Sequence, residues 1–393
     1  MDRLSSKNRP GLRIEWLEVR AVPATLIVDD DLGQFRNADY TSIQAAVDAA
    51  SAGDTILVAR GTYIEQVIVP EDKDDLTIRS QAPRQAVIQA TDTLTGANAI
   101  VTVDGADGVT LRGFTITGPA VTANSLTAGV AIVDGGSATI RDNVITGIRN
   151  DPLDGVQTGI GIIVDGFDAE TTAVIQNNTI TDYQKGGIVV FGDEASATVT
   201  GNTVVGAGPT DLIAQNGIQV SDGADAVVSD NRVSGNVYTG ADVVATGIYV
   251  DTAGDVSVID NRVFENQNGM LILNQDFILV AGNRVTDNTR DGIDIGSVNG
   301  GLLIDNRVED NGLDGVVLSD VTNLGMNGNR IRNNAGYGLA ITGESSENII
   351  FGNILRGNIE FDAYDDTTGS GTGGTANFWF SNRIGTKNNP DLR

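Results

Sequence analysis

Asp291 and Asp314 each stand directly before a glycine, 23 residues apart, and Asp294 follows Asp291 by three. If 23 residues make one turn of a stacked repeat, Asp291 and Asp314 lie one strand spacing apart, about 4.8 Å, with Asp294 beside them. Carboxylates that close raise one another's pKa, share a proton as an acid/base group, or hold a hard cation. Asp291, Asp294 and Asp314 are therefore the candidate catalytic residues, and Asp291 and Asp314 the candidate ligands for Ca²⁺. Gln219 and Tyr249 occupy the place of Asp294 in earlier repeats, offering a ring for a sugar to stack on and hydrogen-bonding partners for its hydroxyls. Arg262 and Arg284 belong to a further column, Arg232, Arg262, Arg284, Arg307 and Arg330, suited to the carboxylates of an anionic polysaccharide. These four complete the candidate substrate-binding set. A plainer reading stays open. The carboxylates are solvated turn residues, and the arginines pair with Asp230, Asp260 and Asp305, two residues upstream, in an exposed ion-pair ladder.

Composition narrows the chemistry. The 393 residues contain no His and no Cys, which removes disulfides, thiolate metal sites and every triad built on imidazole. With 25 Lys and Arg against 52 Asp and Glu, the net charge is -27, which argues against nucleic acid as a partner. No apolar stretch approaches the ~20 residues of a membrane span. The expected partner is a polysaccharide, and the expected state a monomer.

The elements that must position these residues show themselves as repeats. An Asn followed two residues later by an apolar side chain recurs at 143, 178, 202, 231, 261, 283, 306, 329 and 353. A Gly opening an apolar-x-apolar triplet recurs at 129, 159, 187, 217, 247, 269, 292, 315 and 338, and a second Asn follows the first by five residues from Asn236 onward. Each unit alternates polar and apolar residues in three short runs, which gives three strands and leaves no room for a helix. Such a unit buries its apolar face only by stacking on its neighbours. The fold class is all-β: a parallel β-helix, a solenoid with three short strands per coil of about 23 residues. Val258, Leu303 and Val308 should point inward, and the Asn columns should line turns, tolerating left-handed backbone and bonding along the stack.

Ahead of the repeat, Tyr40–Val69 reads YTSIQAAVDAASAGDTILVARGTYIEQVIV, where Ile43, Ala46, Val47 and Ala50 share one helical face, as in a short N-terminal capping helix. With the Gly-Ile-x-Val and Asn-x-Val repeats and both ends, the chain resembles the right-handed β-helices of the pectin-lyase-like superfamily over residues 36–393. Gly61-Thr62-Tyr63-Ile64-Glu65 resembles an opening found in pectinesterases, and the Gly-rich segment around Trp379 resembles the closure of bacterial β-helix proteins. Asn288–Asp294, NTRDGID, partly resembles the Asn-Thr-Asp motif of polygalacturonases, but Arg290 breaks its spacing. Related lyases use an Arg or Lys base with Ca²⁺-binding Asp. Alginate epimerases rely on a His, which this chain lacks. Leu17–Ala24 resembles a segment of exported planctomycete proteins and implies an extracellular or cell-envelope location.

The organisation expected is a targeting-like or disordered segment over 1–25, the β-helix with its cap over 26–358, and a C-terminal capping segment over 359–393. Between the column Asn and the next column Gly, extra residues fall at the same turn in 146–158, 205–216 and 234–246, so stacking should line the three loops along one edge as the wall of a groove. The function expected is an exported protein that binds, and cleaves or modifies, a polysaccharide there, as a polysaccharide lyase or glycoside hydrolase. The alternative is a non-catalytic structural or surface β-helix. No strict catalytic motif decides between them.

Overall fold

The structure, a computed structural model, describes residues 22–118 and 126–393. Among them, 39 strands accompany a single α-helix, Ile43–Ala49. Each strand pairs in parallel with its equivalents one coil before and one coil after, giving three sheets of 14, 13 and 12 strands. Following the chain around one coil, these are sheet A (for example Val256–Ile259), sheet B (Arg262–Phe264) and sheet C (Asn268–Leu273). This is the parallel β-helix with three strands per coil.

Alternation sorts the side chains. Val228, Val258, Val280 and Leu303 stand in register in sheet A, and each is fully buried. Val308 in sheet B is buried as well, so the inward assignments hold and one continuous apolar core fills the coil. Helix Ile43–Ala49 packs Ile43, Ala46 and Val47 onto that core, and Glu65 accepts the backbone N–H groups of Ile43 and Gln44 at 2.8 Å. Those N–H groups have no partner within a helix, so a carboxylate there satisfies them. At the other end, Ala363–Asp365, Phe378–Phe380 and Arg383–Ile384 continue all three sheets. Trp379 is buried there, its Nε1 donating to Asp365 Oδ2 at 2.9 Å. The targeting-like reading of 1–25 lies, up to residue 21, outside the described residues.

The Asn columns form two ladders, with one correction. At the A-to-B turn, Nδ2 of Asn261, Asn283 and Asn306 each donates at 3.0 Å to Oδ1 of the column Asn one coil on. The same Oδ1 accepts a backbone N–H, and Nδ2 also reaches a carbonyl, as Asn283 does to Val258 O at 2.8 Å. The second ladder runs from Asn236 to Asn358 at the B-to-C turn. The ladder Asn is buried and does not take the left-handed conformation. The residue before it does: Asp230, Asp260, Asp305, Glu265, Asp287 and Asp310 have φ between 54° and 59°. The turn divides the work, with one residue bending outward and the next pairing backbone groups that would otherwise be buried unmet.

The glycine column is needed for close approach. A Cβ on Gly247 would stand 2.6 Å from Val263 Cγ1 and 2.7 Å from Gly269 O. In the coil after Gly129 the stacked residue is Gly161, not Gly159, because Ile160 pairs with Ala128 and Gly186. Gly159 instead makes the turn out of the first long loop, at φ 81°.

Candidate functional site

All three long loops leave sheet B and return to sheet C, on the same corner of the coil. The second and third extend the sheet B pairing outward, with Gly208, Pro209 and Thr210 in register with Asn236, Val237 and Tyr238. Three glutamines brace the loops from below. Gln184 Nε2 donates to Asp154 Oδ1 at 2.9 Å and to Val156 O at 2.7 Å. Gln215 Oε1 accepts from Ala207 N, and Gln267 Oε1 accepts from Ala245 N, both at 2.9 Å. Sequence reasoning missed these residues, although the repeated tripeptide Gln-Asn-Gly at 215–217 and 267–269 marks two of the three.

Over sheet C the loops border a cleft of about 530 Å³. Gln157, Ala214, Val243 and Val244 come from the loops, while Lys185, Asn216, Thr246, Tyr249 and Leu271 form the floor. Gln219, Tyr249, Leu271, Asp294 and Val317 stand in one outward column, so the floor continues beyond the loops to Asp294. Lys185 was not foreseen, since it belongs to no repeat column. Its Nζ donates to Ala214 O at 2.9 Å, it forms no ion pair with a described residue, and burial pulls its pKa down. Tyr249 donates its hydroxyl to Asp251 Oδ2 at 2.7 Å, and burial together with that carboxylate keeps the phenol protonated. Thr246 Oγ1 in the floor and Asn268 Oδ1 in the next coil are buried without a hydrogen-bond partner among the described residues.

The structure brings Asp291, Asp294 and Asp314 together. Burial raises the pKa of all three; Asp294 reaches about 6, with the Asp291 and Asp314 charges adding to burial and Arg290 opposing. Their oxygens are partly engaged, however. Asp291 Oδ1 accepts the backbone N–H of Asp314 at 3.1 Å, and Asp314 Oδ1 accepts that of Tyr337 at 2.6 Å. That is a ladder holding successive coils. Among the described residues, only Asp29, Asp30 and Asp31 present three such ligand atoms within 4.8 Å of one another, so the Ca²⁺ expectation at Asp291 and Asp314 finds no converging cage.

Arg262 and Arg284 do not join Gln219 and Tyr249. They lie in register in sheet B, with Arg232, Arg307 and Arg330, whereas Gln219 and Tyr249 face out from sheet C. The ion-pair ladder is also reduced: within the column, Arg307 pairs with Glu309, while Arg232 and Arg262 flank the Phe264 ring at 4.0 and 4.9 Å.

Handedness and family follow from comparison with known proteins. The family model described as the right handed beta helix region matches residues 77–246 and 216–384. The chain belongs to this right-handed β-helix family. An uncharacterized protein of Bacillus subtilis (strain 168) is 28% identical over 290 residues, which are 65% of this chain and 60% of that relative. The chain therefore spans about 60% of that relative's length. Among solved structures, the A-module of a mannuronan C-5 epimerase from Azotobacter vinelandii is 17% identical, with 81% of this chain and 91% of that one covered and a TM-score of 0.58. A variant of a periplasmic alginate epimerase is 15% identical, covering 85% and 77%, at a TM-score of 0.56. An alginate lyase from a Paenibacillus species is 17% identical, covering 82% and 99%, at a TM-score of 0.51. At these identities the likeness is one of fold.

Proposed function

We propose that this right-handed β-helix binds an acidic polysaccharide in the loop-walled cleft over sheet C and cleaves or modifies it there. The observation that carries the reading is Lys185, a half-buried amine with no carboxylate partner among the described residues, in a cleft whose floor also holds Tyr249. A lyase needs a base for the proton beside a uronate carboxylate and an acid for the oxygen that leaves. An amine with a lowered pKa and a phenol kept protonated suit those roles. Asp294, with a pKa near 6, lies further along the same floor and suits an acid/base role at neutral pH. The solved neighbours, two named as epimerases and one as a lyase of alginate, support a carbohydrate partner. The word periplasmic in one name supports an envelope or extracellular location. We take the chain as a monomer, with helix Ile43–Ala49 and the segment 359–393 closing the two ends of the stack.

A non-catalytic rod is the second reading, favoured by the engagement of Asp291 and Asp314 in the backbone ladder. A polysaccharide-binding and depolymerisation screen, run with and without Ca²⁺ on the native chain and on Lys185→Gln, separates the two. Turnover lost in Lys185→Gln supports the cleft. Binding without turnover supports the rod. Silence in both assays removes the cleft.

A further inference from the structure

We infer that a second site, separate from the cleft over sheet C, binds the anionic groups of a linear acidic polysaccharide at the A-to-B turn of the early coils. Arg79, Arg112 and Arg141 occupy one register position in three successive strands of sheet A. Parallel pairing sets them about 4.8 Å apart along the stack. A fourth arginine reaches the row through an insertion. Five residues, 81–85, separate Thr77–Ser80 from Ala86–Gln89, where a plain coil has two, 260–261. Within it Arg84 takes φ 63°, its backbone N–H donating to Gly113 O at 2.6 Å and its carbonyl accepting from Thr115 Oγ1 at 3.1 Å. The loop is thus pinned over the row.

Arg79, Arg84 and Arg112 line a cleft of about 530 Å³ with Gly113 and Asp142, and Arg141 continues the row beyond it. One carboxylate answers them: Asp142 pairs with Arg112 at 3.0 Å and with Arg141 at 3.6 Å. Arg79 and Arg84 are exposed and form no ion pair with a described residue. In the cleft, three guanidinium groups against one carboxylate leave a local charge of +2 in a chain of net charge -27. Screening over ~8 Å at physiological salt makes this local field, not the distant net charge, the one an arriving anion meets. Guanidinium forks grip carboxylate or sulfate bidentately. A row with one arginine per coil suits a polymer that carries a charge on each sugar better than a single small anion.

The test is calorimetric titration of the full chain with oligogalacturonate, with a neutral dextran oligosaccharide and inorganic sulfate as controls, in a Lys185→Gln background that silences the cleft over sheet C. Binding of oligogalacturonate should persist in that background, weaken with salt, and fall at least ~10-fold when Arg79→Ala and Arg84→Ala are added, with an unchanged melting temperature. Both side chains are exposed and unpaired, so the fold should survive. Binding that the double change leaves intact would overturn the site, as would no binding in the Lys185→Gln background or equal binding of dextran. Sulfate competing as well as the oligomer would overturn the polymer as its ligand. Turnover by the native chain is unaffected by any of these results, so failure here is distinct from failure of the proposed function.

Discussion

Lys185 Nζ lies 2.9 Å from the carbonyl of Ala214, so the amine of one coil is tied to the loop that rises from the next. The same residue lines the cleft with Tyr249 and loses charge more readily than an ordinary lysine because it is desolvated. Binding of an acidic oligosaccharide should weaken as pH rises toward this lowered pKa, at lower pH than an exposed lysine would give. Lys185→Arg should hold binding to higher pH, since guanidinium does not titrate there. Overlapping pH profiles for the two proteins would remove Lys185 from the site.

Asp294 acts on stability rather than on binding, and its effect too is unfavourable as pH rises. Its pKa in the fold is about 6, above the unfolded 3.8, so the carboxyl is protonated in both states at low pH and its charged form is penalised in the fold above pH 6. The cost is absent below about pH 3.8, grows between the two values and is complete above the higher one, on the order of 3 kcal/mol. Asp294→Asn should therefore stabilise the protein more at pH 7.5 than at pH 4. Urea midpoints at the two pH values check this, and an equal effect at both would contradict the shift.

Asn283 bonds to Val258 O, to Asn306 Oδ1 and, through its own Oδ1, to the backbone and side chain of Asn261. Asn283→Ala strands several buried groups at once, each worth about 1–3 kcal/mol when left unmet. A loss of about 3 kcal/mol in unfolding free energy is expected; a loss below ~1 kcal/mol would mean that water replaces the ladder.

Val258 and Tyr249 separate inside from outside. Val258→Asp places an unpaired carboxylate in the core and should cost several kcal/mol, while Tyr249→Ala on the outward face of sheet C should cost far less. Equal shifts in denaturant midpoint would reverse the assignment.

How much of this was legible in the sequence depends on what a repeat encodes. Period and alternation fix which residues share a register and which point inward, so Val258, the Asn ladders and the common corner of the three loops could be read directly. A repeat says nothing about the angle between sheets. Arg262 and Tyr249 follow one another within a coil's length, yet they project from sheets B and C, with the sheet A strand Val256–Ile259 and a turn on either side of it between them. Lys185 was invisible for a different reason: it is single, and its importance comes from burial beneath a loop that crosses from another coil. The misplaced Gly159 shows the same limit, because a long loop moves the nearest glycine away from the stacked one, Gly161.

The account's central claim is that the loop-walled face of sheet C is where a polysaccharide binds. Hydrogen–deuterium exchange with and without a saturating acidic oligosaccharide tests it most directly. Protection is predicted in 154–158, 184–187, 212–217 and 243–249, the segments that line the cleft or border it. Unchanged exchange in all four, with protection confined to other faces of the stack, would contradict it.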